Sequence, residues 1–218
     1  RDPKLIPGWT TFFRAGTALE KPATQKEGIA QLEELINKSP ADKQLLRQAM
    51  LMLQAKYYQL KDCDNALRVM SASEQAFPED SGILNNLAFM MVTCGKPPKD
   101  AVPFAERAKI KAFERGQDLL DVLDTLGWVY TRAGMLKEAE GPLLDALSLA
   151  GSSTVKPTVM LHFAELLTAQ GKFDEAQKVI DEAREFFDKL PKEQQIQATS
   201  DLFDEEKALL AKARSEKK

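Results

Sequence analysis

A chain of 218 residues with 44% hydrophobic and 29% charged side chains has the composition of an ordinary globular protein and enough length to bury a core or an elongated array. Thirty lysines and arginines against thirty-three aspartates and glutamates leave a net charge of −3, which gives no field that would draw the chain onto nucleic acid or an anionic bilayer. No apolar run approaches the roughly 20 residues that span a membrane, and no signal-peptide pattern is present. A start at Arg1 rather than Met suggests an excised piece of a longer protein, so the cytoplasm and a bacterial cell envelope both stay open as compartments.

Helical periodicity organises the rest, and the chain reads as eleven helices. A degenerate pair is expected at about 8–38, with Gly16, Leu19, Gly28 and Leu35 before Pro40. The next pair, at about 42–77, sets Gln54, Tyr57, Lys61, Ala66 and Ser73 at offsets that recur further on, and Pro78 follows it. In the pair at 81–115 those offsets give Ala88, Met91 and Gly95, then Ala101 and Ala108 after one inserted residue within "GKPPKD". The pair at 118–150 contains "LDTLGWVYTRAGMLKEAEGPLLDAL", with Gly127, Tyr130, Gly134, Ala139 and Ala146, and the pair at 156–188 repeats it as Ala164, Leu167, Gly171, Ala176 and Ala183. Successive copies start 34, 39 and 37 residues apart, which predicts lengthened loops at "FERGQD" and "AGSSTVKP". Pro103 and Pro142 fall early in second helices and predict a kink or a late helix start. A last helix at about 192–215 aligns Ile196, Leu202, Phe203, Leu209, Leu210 and Ala213, and reads as a cap over the exposed end of an array.

Glycine inside a helix costs roughly 1 kcal/mol against alanine, so its recurrence needs a reason. Small residues at Ala88, Gly127 and Ala164 on first helices, and at Ala66, Ala101, Ala139 and Ala176 on second helices, let antiparallel neighbours approach closely. Gly95, Gly134 and Gly171 sit between helices, where a positive φ costs glycine nothing.

On these residues the chain resembles the tetratricopeptide repeat (TPR) family, whose unit is a 34-residue helix-turn-helix. The stretches "ILNNLAFMM" and "VLDTLGWVYTRAG" look like the C-terminal repeats of large bacterial TPR proteins, including ones associated with exopolysaccharide export and envelope assembly. Gln54, Ser73 and Lys61 depart from the pattern. The resemblance implies an all-α fold: an α-solenoid of antiparallel helix pairs, a TPR-like right-handed superhelix with a C-terminal capping helix. Its expected division is 1–41 for the degenerate pair, 42–190 for four repeats (about 42–79, 80–117, 118–154 and 155–190), and 191–218 for the cap and basic tail "KARSEKK".

Little in the sequence suggests catalysis. The one histidine, His162 in "VMLHFAEL", has no nucleophile, phosphate-cradling loop or ligand cluster assembled around it, and neither a cofactor nor a metal is expected. The carboxylates of "DEAREFFDK" and "SDLFDEEK" read as solvated helix faces, and Cys63 and Cys94 as buried or neutral thiols, too few for a disulfide framework.

In the repeat family first helices line a concave groove, and by position that face carries Leu51, Ala55, Tyr58 and Gln59, then Asn85, Asn86, Phe89, Val92 and Thr93. Further on it carries Asp121, Asp124, Thr125, Trp128, Thr131 and Arg132, then Leu161, His162, Glu165 and Thr168. The expected function is a non-catalytic scaffold that binds a protein or peptide partner through Tyr58, Asn85, Asn86, Phe89, Asp124, Trp128, Thr131, Arg132 and Glu165, with self-assembly through the end surfaces as the alternative. Co-chaperone members grip acidic chaperone C-termini with two lysines, two asparagines and an arginine. Here only Asn86 fits, with Leu51, Ala55, Asp121 and Thr125 at the other positions, so a heat-shock chaperone carboxylate is not the expected ligand.

Overall fold

Local chemistry starts and stops the helices. In the computed structural model, which describes residues 6–38, 41–195 and 197–216, eleven α-helices run in order. They are α1 (Ile6–Leu19), α2 (Gln25–Asn37), α3 (Lys43–Gln59), α4 (Cys63–Ala76), α5 (Ser81–Thr93), α6 (Pro98–Glu114), α7 (Leu120–Arg132), α8 (Leu136–Ala150), α9 (Lys156–Ala169), α10 (Phe173–Lys189) and α11 (Gln197–Glu216). A short 3-10 turn at Lys192–Gln194 precedes the last, which therefore begins later than expected. Pro40 and Ile196, read as a junction and as part of the last apolar face, lie outside the described residues, as does the end of the basic tail.

Aspartates cap the early helices: Asp42 Oδ1 accepts from the Gln44 and Leu45 N–H groups, Asp62 from Asn65, and Asp80 from Ile83. Reversals after first helices are Schellman turns. Gly134 N–H donates to the Thr131 carbonyl and Met135 N–H to Tyr130, with Gly134 at φ +77°, and Gly95 and Gly171 repeat the arrangement. At the corresponding place after α3 stands Lys61, at φ +61° the one non-glycine positive-φ residue among the described residues. Gly116 and Gly151, both at positive φ, mark the two lengthened loops. Helices α6 and α8 begin before Pro103 and Pro142 and run through them, so of the kink or late start expected there the late start is not seen.

The chain divides into two compact units, Arg1–Met90 and Met91–Lys218. Within the first, α1 packs on α2 and α3 on α4, with α3 also against α1 and α2. The degenerate pair is a true close pair: a Cβ at Gly28 would lie 2.8 Å from the Ala15 carbonyl oxygen. Glu33 binds this unit together, accepting from the Tyr57 hydroxyl at 2.9 Å and from Arg68 at 2.6 Å. At the departures from the small-residue pattern, Ser73 returns its hydroxyl to the Val69 carbonyl, whereas buried Gln54 leaves its Oε1 without a partner among the described residues.

In the second unit α7 packs on α6, α8 and α9, and α9 on α8, α10 and α11. Gly127 sits where α7 meets α8, and a Cβ there would lie 2.5 Å from Leu143 Cγ and 3.1 Å from its backbone nitrogen. One core of this unit joins Leu161, Ala164, Ile180, Ala183 and Phe187 of α9 and α10 to Phe203 and Leu210 of α11. On α11 the expected face is buried at Phe203 and Leu210, half-buried at Leu202 and Ala213, and exposed at Leu209.

Two expectations are corrected. Cys63 and Cys94 are not free thiols but disulfide-bonded, because pairing depends on tertiary geometry that residue count and spacing do not report. In "SDLFDEEK" Asp204 and Glu205 are exposed but Glu206 is buried, since it falls on the stripe that α11 turns inward.

Candidate functional site

First helices of the Arg1–Met90 unit keep their side chains accessible. Tyr58 of α3 and Phe89 of α5 are half-buried and meet edge to face, with centroids 6.4 Å apart at 64°. Asn85 and Asn86, on α5, are also half-buried. Asn85 Oδ1 is shielded from solvent and has no hydrogen-bond partner among the described residues. On α3, Leu51 is half-buried while Ala55 and Gln59 are exposed, and an open trough between α1 and α3 is lined by Gly16, Met52, Ala55, Lys56 and Gln59.

In the Met91–Lys218 unit the expected groove residues satisfy one another instead. Asp124 Oδ1 lies 2.8 Å from His162 Nδ1, Trp128 donates from Nε1 to Glu165 Oε2 at 2.9 Å, and Arg132 forms an ion pair with Glu165 Oε1. The Trp128 ring lies 5.4 Å from that of His162 on one side, while the Arg132 guanidinium sits 5.3 Å from the Trp128 centroid. Thr131 returns its hydroxyl to the Gly127 carbonyl. Trp128, Thr131, His162, Glu165, Thr125, Leu161 and Thr168 are buried. Arg132 keeps its side chain 38% exposed, and Asp121 is exposed.

Charge follows from this packing. Burial opposes the imidazolium of His162, yet Asp124 outweighs it by charge and as a hydrogen-bond acceptor, with help from Glu165, and the pKa rises above the ordinary histidine value. Asp121, though exposed overall, is pushed up by partial desolvation of its carboxyl and then by Asp124 and Asp118. Glu206 of α11 is pushed up to about 9, chiefly by burial and then by Glu165. Sequence reading missed Glu206; its signal was the seven-residue stripe Thr199, Glu206, Ala213, interleaved with Phe203 and Leu210.

No cluster of three His, Cys, Asp or Glu among the described residues could hold a metal, and no described helix is long and apolar enough to cross a membrane. The arrangement offers surfaces and amides for recognition.

No family model matches the chain, and no curated protein matches it. Solved structures do. The chain is similar to a Podosopora anserina protein of kinesin light chain type with nearly identical TPR-like repeats, at 14% identity over 81% of this chain and 93% of that one, with a TM-score of 0.62. PilW, a type IV pilus biogenesis factor, is 14% identical over 95% of this chain and 91% of its own, with a TM-score of 0.64. A tetratricopeptide repeat protein from Parabacteroides merdae is 16% identical over 94% and 77%, with a TM-score of 0.62. The paired helices, the glycine-ended first helices and these likenesses together show that the chain has the TPR-like helical-repeat fold.

Proposed function

We propose that the chain is a non-catalytic scaffold that binds an extended segment of a protein partner on the first-helix face of the Arg1–Met90 unit, through Tyr58, Asn85, Asn86 and Phe89. The observation that supports it best is the Asn85 amide, whose shielded Oδ1 has no partner, on the same helix as the half-exposed Phe89 that meets Tyr58. An unpaired buried acceptor costs about 1–3 kcal/mol, a penalty that a hydrogen bond from a partner would relieve. By turning about its last torsion the amide can meet a peptide N–H or C=O, while the two rings supply the contact area typical of interface hot spots. Asp124, Trp128, Thr131 and Glu165 serve in this reading as a rigid internal framework, with Arg132 as a secondary contact. A preformed helical surface leaves the ordering cost to the peptide.

The test is selection of a displayed random-peptide library on the purified protein, followed by titration of a selected peptide against Asn85→Ala and Phe89→Ala. Each substitution is expected to weaken binding by about tenfold or more, the loss typical of an interface hot spot, with the melting temperature nearly unchanged. Equal affinity for wild type and both variants would overturn the placement.

A second reading, self-assembly, has one observation in its favour: Phe13 of α1 is 64% exposed beside Trp9 and Phe12. Light scattering over a concentration series distinguishes it, since a groove-binding monomer keeps one mass.

A further inference from the structure

Helix α11 carries a carboxyl where an apolar residue would be expected. Glu206 lies between Phe203 and Leu210 on the stripe that packs against α9 and α10, and it is 1% exposed. Its Oε2 is sealed from solvent with no hydrogen-bond partner among the described residues. The group it meets on α9, within hydrogen-bonding reach, is Glu165, another carboxyl only 4% exposed. Both oxygens of Glu165 are already engaged from α7, Oε1 by the Arg132 guanidinium and Oε2 by the Trp128 N–H, whereas Oε2 of Glu206 has no partner among the described residues. Two carboxylates this close in a buried site do not both ionise, so the proton belongs to Glu206.

We propose that Glu206 is a proton latch: protonated, it donates from α11 to Glu165 and holds the C-terminal helix on α9, and ionised, it leaves with that helix and uncovers the apolar strip of α9 and α10 around Leu161, Ile180 and Phe187. Among the described residues, the neighbouring groups are engaged elsewhere or are acidic themselves. From α9 come Glu165 and His162, and His162 is turned to Asp124. From α10 comes Arg184, stacked 3.8 Å over the Phe203 ring, and Asp174, which takes Arg214 of α11. From α11 itself come Glu205, whose charge disfavours ionisation further, and Thr199, bonded to Thr158. Arg132 favours the Glu206 anion, but Glu165 holds it.

The sign follows from a carboxyl raised from 4.5 to about 9. The latch is fully closed below the ordinary carboxylate range and is lost as pH rises through about 9. Between those limits the equilibrium constant for docking α11 falls about tenfold per pH unit.

Glu206→Gln keeps the neutral donor at every pH and tests the latch by urea unfolding at pH 5 and pH 8.5. Because His162 titrates in the same sense, the readout is the difference between the two proteins. Wild type is expected to lose more stability than the glutamine variant on going to pH 8.5, where the variant is the more stable of the two. Parallel profiles, or a variant less stable than wild type at pH 8.5, would overturn the proposal. If the variant does not fold, carboxyl-carbon NMR of the glutamate-labelled wild type decides. One glutamate still protonated at pH 7 supports the latch, and ionisation of every glutamate by that pH overturns it.

Discussion

Gly127 shows how one residue can be costly in its own helix and indispensable to its neighbour. Replacing it with alanine would gain up to about 1 kcal/mol of helix propensity. The added carbon would meet Leu143 at 2.5 Å from its Cγ and 3.1 Å from its backbone nitrogen, and the backbone atom cannot move aside without shifting α8. Overpacking of this kind costs about 1–3 kcal/mol, so Gly127→Ala is expected to lower stability by up to about 2 kcal/mol net in urea unfolding. A gain would mean that the pair does not close at this point. The sequence displayed this contact as a glycine in a helical pattern. It did not display Glu206, because a carboxylate in an acid-rich helix looks the same whether it faces water or a second carboxylate two helices away in sequence. Only the packing of α11 on α9 decides between them.

At the scale of elements, helix starts are tied to preceding first helices by a device that recurs in the Arg1–Met90 unit. Asp42 caps α3 and accepts from Trp9 of α1 at 2.8 Å, and 38 positions on, Asp80 caps α5 and takes a fork of two bonds from Arg47 of α3, at 2.6 and 3.1 Å. Burial raises the Asp80 pKa, but Arg47 and the Ile83 and Gly82 N–H groups outweigh it and hold the carboxyl below its usual value. The stability it adds is therefore present above the ordinary aspartate pKa and lost as pH falls through the lowered one. Asp80→Ala is expected to cost about 1–2 kcal/mol at neutral pH, and Asp80→Asn, which keeps a capping oxygen, less. Equal unfolding midpoints for all three proteins would show that the cap and the fork contribute nothing. Helix limits were legible because prolines, capping aspartates and turn glycines act locally; at Pro103 and Pro142, which stand inside α6 and α8, the late start did not follow, because a tolerated proline and a terminating one read alike until the carbonyls behind them are placed.

For the molecule as a whole, the repeat was legible because close helix approach demands small residues at fixed offsets, and even the degenerate first pair kept Gly28 for that purpose. The site was only half legible. Position in the repeat says which side chains lie on first helices, but not which are engaged by their neighbours. Trp128, Glu165 and His162 are taken up with one another and with Asp124, while Asn85 is not so engaged. The first-helix face of the Arg1–Met90 unit is the proposed seat of the partner. Backbone amide NMR during titration with a selected peptide tests it most directly. Shift changes are expected to concentrate at Tyr58, Asn85, Asn86 and Phe89, and changes confined to α4, or to the Met91–Lys218 unit, would rule this face out.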